Sequence, residues 1–269
     1  MAAEKRLGFL GFGNMGKAIA GGLIERQTMP PRQLSAFDVD EAKQAAVRAM
    51  GIETSSSAEH LAEGCDALLI AVKPQNAAQA LEPLAGKVDA RVLVISICAG
   101  LSTAFFQKQL GDGMRVVRVM PNTPALVGAG AAAIAPNENC TQEDIDLAKA
   151  IFESVGVVQV VSESAMDGVT ALSGSGPAYF FYLVECLVRA AQNEGLTEEQ
   201  ATELAKQTAL GAGRLLVESG ESAGVLRERV TSKGGTTEAA LRVFKEKGFE
   251  ELIQAGVAAA AARSRELGR

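Results

Sequence analysis

A chain of 269 residues, 48% hydrophobic and 22% charged, is long enough to bury a full core and, at about 100 to 200 residues per domain, is read as two domains. Charges are scattered through every region, so no run reaches the roughly 18 apolar residues of a membrane span. The formal net charge of -6, with neither a basic stripe nor an RNA-binding aromatic motif, makes nucleic acid a poor partner.

Met1 to Arg6 lead into a strand-like segment without the apolar stretch and cleavage site of a secretory signal, so a cytoplasmic location is expected. Short aliphatic runs then alternate with helical segments up to about residue 161: Arg6–Leu10, Leu34–Phe37, Ala67–Val72, Val92–Ile97, Val116–Met120, Ala131–Ala135 and Val157–Val161. This is the pattern of βα units on a mostly parallel sheet, and the nearly continuous apolar runs suit strands covered on both faces. After Val161 the strand signal stops. Pro177 suits the first turn of a helix, and Phe180, Val184, Leu187, Val188 and Ala191 recur on one face of it. Thr197-Glu198-Glu199-Gln200 reads as a capping box for a helix to about Ser219, and further helices fit Ser222–Arg229, Thr237–Lys247 and Phe249–Leu267. A domain boundary is therefore expected near Ser162, with an α/β half over 1–161 and an all-α half over 162–269. The Pro177–Ala191 and Ala255–Ala262 helices offer more apolar surface than the second half can cover alone, which predicts a dimer.

Gly11-Phe12-Gly13-Asn14-Met15-Gly16 is a G-x-G-x-x-G motif between a strand candidate and the helix candidate Lys17–Glu25. In that context Gly11 permits the tight turn, Gly13 lets the backbone approach a pyrophosphate, and Gly16 allows close helix–strand packing, with the helix's free N–H groups facing the phosphates. A second strand ends at Asp38, where an acid can hold a ribose 2′-hydroxyl or serve as a turn or N-cap residue; the two readings weigh equally. Phe37-Asp38-Val39-Asp40-Glu41 is acidic, and a carboxylate at Asp38 would favour NADH over a 2′-phosphate, with Lys43 the nearest cation.

Ala71-Val72-Lys73-Pro74, Ala99-Gly100 and Pro121-Asn122-Thr123-Pro124 are strand-end loops, the place where open α/β sheets bind ligands. In the helical half, Ser173-Gly174-Ser175-Gly176-Pro177 and Thr231-Ser232-Lys233-Gly234-Gly235-Thr236-Thr237 are glycine-hydroxyl clusters. The second precedes a helix, so it can converge on an anion or simply make a helix–helix turn. Cys65, Cys98, Cys140 and Cys186 lie far apart without C-x-x-C spacing, and His60 is the single imidazole, so no metal site is expected.

Taken together and in this order, these segments resemble pyrroline-5-carboxylate reductase over nearly the whole chain. The resemblance implies a Rossmann-like, mostly parallel sheet domain for NADPH or NADH, followed by an all-α dimerisation domain that builds much of the pocket for 1-pyrroline-5-carboxylate. It carries the cofactor to Gly11, Phe12, Gly13, Asn14, Met15, Gly16, Ala71 and Val72, to Lys73, Pro74, Ala99 and Gly100 at the nicotinamide end, and to Asn122, whereas at Asp38 the relatives commonly have small hydroxyl or basic groups that suit NADPH. It implies that Ser232, Gly234, Gly235, Thr236 and Thr237 cradle the substrate carboxylate, that Thr237 also faces the imine nitrogen, and that Glu163 lies near the substrate. Two departures stand out: Lys233 occupies a position where the family often has proline, and Ala58 one where some relatives have asparagine near the adenine.

The implied reaction moves a hydride to an imine carbon, and an iminium already carries its proton, so positioning outweighs acid catalysis. His60 reads as a solvated helix residue, Lys73 as positional and Cys98 as a small buried hydrophobe. A 3-hydroxyacid dehydrogenase would share the two-part architecture but needs a helical lysine acid, and a regulator that binds nucleotide without turnover is the other reading.

Overall fold

The computed structural model of the protein describes residues 5–268. The chain divides into two compact units. One runs up to Gly174 and takes back the chain from Ala260 onward; the other spans Ser175–Ala259.

In the first unit β1 (Leu7–Leu10) leads to α1 (Asn14–Glu25), β2 (Leu34–Phe37) to α2 (Glu41–Ala49), and a two-residue β3 (Glu53–Thr54) to α3 (Ala58–Glu63). There follow β4 (Ala67–Ile70), α4 (Ala77–Leu81), β5 (Leu93–Ser96), α5 (Thr103–Leu110), β6 (Val116–Met120) and β7 (Gly130–Pro136). The unit continues through α6 (Gln142–Glu153), β8 (Gly156–Val160), the short α7 (Met166–Val169) and a π-helical turn at Thr170–Gly174. The strands lie in the order β3-β2-β1-β4-β5-β6-β7-β8. Neighbours are parallel except for the antiparallel pair β6 and β7.

Side chains of the central strands enter cores on opposite faces. On β4, Ala67 and Leu69 join Phe9, Ile19 and Phe152, while Leu68 and Ile70 join Leu61 and Phe106. Burial on both faces is why these strands read as continuous apolar runs. β3 escaped the sequence because Glu53-Thr54 is two polar residues that become a strand by pairing with β2. The strand expected to reach Val72 ends at Ile70, since the chain turns away toward Pro74 after Ala71 donates its N–H to the Leu10 carbonyl at 2.8 Å. α1 begins at Asn14, inside the glycine motif and ahead of the expected Lys17.

One site follows from the strand order. From β1 the chain moves outward to β2 and β3, then returns to β4 on the other side of β1. The loops after β1 and β4 therefore part, opening a crevice at their carboxyl ends.

The second unit holds α8 (Gly176–Asn193), α9 (Glu198–Glu218), α10 (Ala223–Arg229), α11 (Thr236–Glu246) and the beginning of α12 (Phe249–Leu267), whose end belongs to the first unit. Pro177 sits in the first turn of α8, where its missing N–H costs nothing. The capping box forms: Thr197 donates its N–H to Gln200 Oε1 at 3.1 Å, and Gln200 returns its N–H to the Thr197 hydroxyl at 3.3 Å. Between Ser175 and Ala259 only Gly176 and Ala201 are buried, and Phe180 and Phe181 are 66% and 67% exposed. The segment between the expected boundary at Ser162 and the division at Gly174 packs by contact with the sheet, where Met166 is buried with Ala133 and Ala135 of β7. Among the described residues no helix is long and apolar enough to cross a membrane.

Candidate active site

The glycine loop is built by close approach. Gly11 has φ +92°, and a Cβ there would lie 2.9 Å from both the Ala71 carbonyl oxygen and Val72 Cγ1, so no other residue fits without moving the loop after β4. A Cβ on Gly16 would lie 3.2 Å from the Gly11 carbonyl oxygen, while one on Gly13 would meet open space. Gly13 is also the N-cap of α1, with no side-chain cap and no acidic residue in the first turn. The N–H groups of the first turn, through Asn14, Met15 and Gly16, thus face outward at the positive end of the helix with nothing negative supplied by the helix itself. That is a cradle for a phosphate.

Asp38 is tied to this loop. It is buried, and its Oδ2 accepts the Phe12 N–H at 2.8 Å while Oδ1 accepts the Asp40 N–H at 2.9 Å. Lys43 Nζ stands 3.3 Å from both oxygens. The N-cap of α2 is Asp40, which accepts the Ala42 N–H at 2.9 Å. Of the two readings left open for Asp38, the turn residue describes what its carboxylate does within the chain, where it also orients the glycine loop and is partnered by a lysine.

Across the crevice, Val72, Lys73 and Pro74 follow β4, with Lys73 exposed. Cys98, beside Ala99-Gly100, donates its thiol to the Val72 carbonyl at 3.3 Å, linking the loops after β4 and β5. Burial pushes the Cys98 thiol above its ordinary range, so it stays protonated and is no nucleophile. Burial likewise drives Cys65 up to about 12.

Asn122, after β6, spends its side chain on the backbone: its amide donates to the Ser173 carbonyl at 3.0 Å and its oxygen accepts the Ala131 N–H at 2.9 Å. Beside it, a Cβ on Gly174 would lie 2.5 Å from Met120 Cε. Asn122 thereby pins the π-turn that opens the Ser173-Gly174-Ser175-Gly176-Pro177 cluster, a feature no sequence period announces. Glu163 accepts the Thr103 N–H at 2.8 Å on Oε1 and the Thr103 hydroxyl at 2.7 Å on Oε2, with Arg118 at 3.5 Å. The structure so gathers Gly11–Gly16, Asp38, Ala71–Pro74 and Ala99–Gly100 around the first unit's crevice. An open groove of about 940 Å³ also flanks α1, between Lys17, Glu25 and Arg26 and the Ala125–Gly128 turn. It meets the glycine loop only at Asn14 and lacks the row of free N–H groups, so the crevice is the better anion site.

Ser232, Gly234, Gly235, Thr236 and Thr237 lie in the second unit, at the start of α11. Gly234 has φ +72°, and a Cβ on Gly235 would lie 2.4 Å from Ser232 Oγ, so both glycines are required by the turn. Gly235 caps α11 without a side chain, and the Gly234 N–H donates to Glu238 Oε2 at 2.7 Å. The Gly234 N–H is thus spent on a carboxylate of the following helix.

Comparison with known proteins agrees with this division of labour. Residues 163–267 match the family described as pyrroline-5-carboxylate reductase dimerisation, and residues 6–100 that described as NADP oxidoreductase coenzyme F420-dependent. The pyrroline-5-carboxylate reductase of Methanosarcina acetivorans is 40% identical over 267 residues, 99% of either chain. That of Escherichia coli is 38% identical over 251 residues, 93% of either chain. The solved pyrroline-5-carboxylate reductase of Coxiella burnetii superposes with a TM-score of 0.94 at 37% identity, over 98% of this chain and 99% of that one. The Plasmodium falciparum structure, with NADP bound, gives 0.85 at 31% identity over 99% of each. Relatives this similar from end to end, with the dimerisation match over residues 163–267, place the chain in the pyrroline-5-carboxylate reductase family.

Proposed function

We propose that the protein reduces the cyclic imine 1-pyrroline-5-carboxylate to L-proline with NADPH or NADH, in the cytoplasm and as a homodimer or an assembly of dimers. The observation that carries the reading is the pairing of an uncapped, glycine-lined α1 terminus at the sheet's switch point with a second uncapped terminus at α11, already holding a carboxylate. One anion cradle suits a pyrophosphate and the other a substrate carboxylate.

When bound, the reduced nicotinamide supplies a hydride. The residues that would hold the dinucleotide are Gly11–Gly16 at the phosphates, Asp38 at the loop's edge, Ala71–Pro74 with Ala99 and Gly100 at the nicotinamide end, and Asn122 behind them. They fit it because Gly13 leaves open space in front of free N–H groups. Ser232, Gly234, Gly235 and Thr236 hold the substrate carboxylate, displacing Glu238 from the Gly234 N–H. The Thr237 hydroxyl hydrogen-bonds at the imine nitrogen and fixes which face of the ring is presented. Glu163, anchored by Thr103, places a negative charge at the substrate side that favours the iminium form. Since the iminium arrives protonated, no residue has to transfer a proton to oxygen, and the protein contributes orientation and electrostatics.

Asp38, neutralised by Lys43 and engaged with the loop, repels a 2′-phosphate less than a free carboxylate would. Both cofactors therefore remain usable. Purified protein mixed with NADPH and 1-pyrroline-5-carboxylate should consume absorbance at the nicotinamide band and yield proline. Nucleotide binding without consumption would make it a regulator instead.

A further inference from the structure

Three stretches distant in sequence meet around the Ala99–Thr103 turn. Thr103, at its end, is held through both N–H and hydroxyl by Glu163. Gly100, at its start, meets the end of α12: its φ is +81°, and a Cβ there would lie 3.3 Å from the Leu267 carbonyl oxygen. A Cβ on Gly268 would in turn lie 2.8 Å from the Gly100 carbonyl oxygen. The two anchors are themselves joined. Ser264, 6% exposed, donates its hydroxyl to Asp167 Oδ1 at 2.6 Å, and Asp167 belongs to the same short segment as Glu163.

The circuit is closed: Glu163 to Thr103, the turn to Gly100, Gly100 to the end of α12, and Ser264 back to Asp167. We infer that Ser264 and Asp167 are a positioning pair for hydride transfer, holding the end of the last helix against Gly100 so that the Ala99–Thr103 turn keeps one geometry. The inference rests on the reading that this turn flanks the nicotinamide. A turn pinned at both ends presents its backbone to a ring without having to be ordered on binding. Released at Gly100, it loses the anchor on the side of α12 and keeps the Glu163 bond and the Ser102 cap. Misplacing a reacting group by about 1 Å costs on the order of 100-fold in rate, so even partial release is measurable.

The test compares full-length Ser264→Ala and Asp167→Ala with the conservative Ser264→Thr. Amide hydrogen exchange of residues 99–103 is followed without cofactor, alongside kcat, the KM for NADPH and the melting temperature. Loss of this partly buried, charge-assisted bond should speed exchange of the turn about tenfold and lower kcat about tenfold at saturating cofactor, with Ser264→Thr restoring both. A bond that only stabilised the fold would lower the melting temperature while leaving the turn's exchange and the folded enzyme's kcat unmoved, and that result overturns the inference. Should Ser264→Ala not fold, Ser264→Cys and Asp167→Asn weaken the bond without opening a cavity and are judged by the same two readouts. Ala99→Leu tests the underlying reading separately, because its exposed side chain would crowd the nicotinamide. Unchanged NADPH affinity and turnover in Ala99→Leu would remove the turn from the cofactor, whereas an impaired Ala99→Leu beside an indifferent Ser264→Ala would leave the turn in place and remove the brace.

Discussion

The first unit buries two cores on the faces of its sheet, with Phe9, Phe106 and Phe152 fully enclosed, whereas the second unit buries only Gly176 and Ala201 across Ser175–Ala259. The two stretches are similarly regular and similarly apolar in pattern. What differs is whether the chain itself supplies the opposing surface. A parallel sheet collects helices from its own crossovers and closes over itself. The helices of the second unit present Phe180, Phe181, Tyr182, Leu187 and Leu252 with more than a third of each side chain exposed, more apolar surface than a lone chain leaves to water. One region closes over its own core, and the other leaves an apolar face uncovered within the stretch that matches the dimerisation family.

The strongest challenge to that contrast is to replace Phe180 and Phe181 together with Asp. Uncompensated charge in an interface core costs roughly 3 to 5 kcal/mol, so light scattering should show monomers, with helical signal lost from the second unit and turnover abolished while the first unit still binds nucleotide. A stable, active dimer in this variant would mean that the exposed face of α8 is not the interface. Gly11→Ala probes the other side of the contrast. Strain at φ +92° together with the approach to Ala71 should cost about 3 kcal/mol, seen as a lower melting temperature and a loss of nucleotide affinity with the dimer intact.

Thr237→Ala separates the two units by function. Losing one hydrogen bond to a charged substrate should cost about 2 kcal/mol in kcat/KM and leave nucleotide affinity as it was. Equal kcat/KM in mutant and wild type would take Thr237 out of the site. The smallest effect is expected for Asp38→Asn, which leaves one acceptor oxygen for the amides of Phe12 and Asp40. The loop loosens by about 1 kcal/mol, weakening NADPH and NADH alike by about fivefold in titrations. A shift in their ratio alone would show that the carboxylate meets the ribose directly.

The order of strands and helices, the glycine motif, the capping box at Thr197 and the Ser232–Thr237 turn were legible because each is written within a few neighbouring residues. Hydrophobic period, a cap three residues ahead, and a glycine demanded by a local turn are short-range facts. The same kind of signal could not announce β3, whose Glu53-Thr54 becomes a strand only by lying against β2. Nor could it assign the carboxylates. Asp38 reads locally as a ribose acceptor or as a turn or cap residue, and nothing near it in sequence announces the Phe12 amide as a partner; Glu163 is picked out only by the family resemblance, and nothing near it announces Thr103. Sequence by itself determined the elements other than β3, their order and the family, since those rest on local preference and on motifs. The tertiary structure decided where the charges are spent, why Gly100 must be glycine and which region lacks a core, because a side chain's partner is chosen by whatever the fold brings within about 3 Å of it, at any distance along the chain.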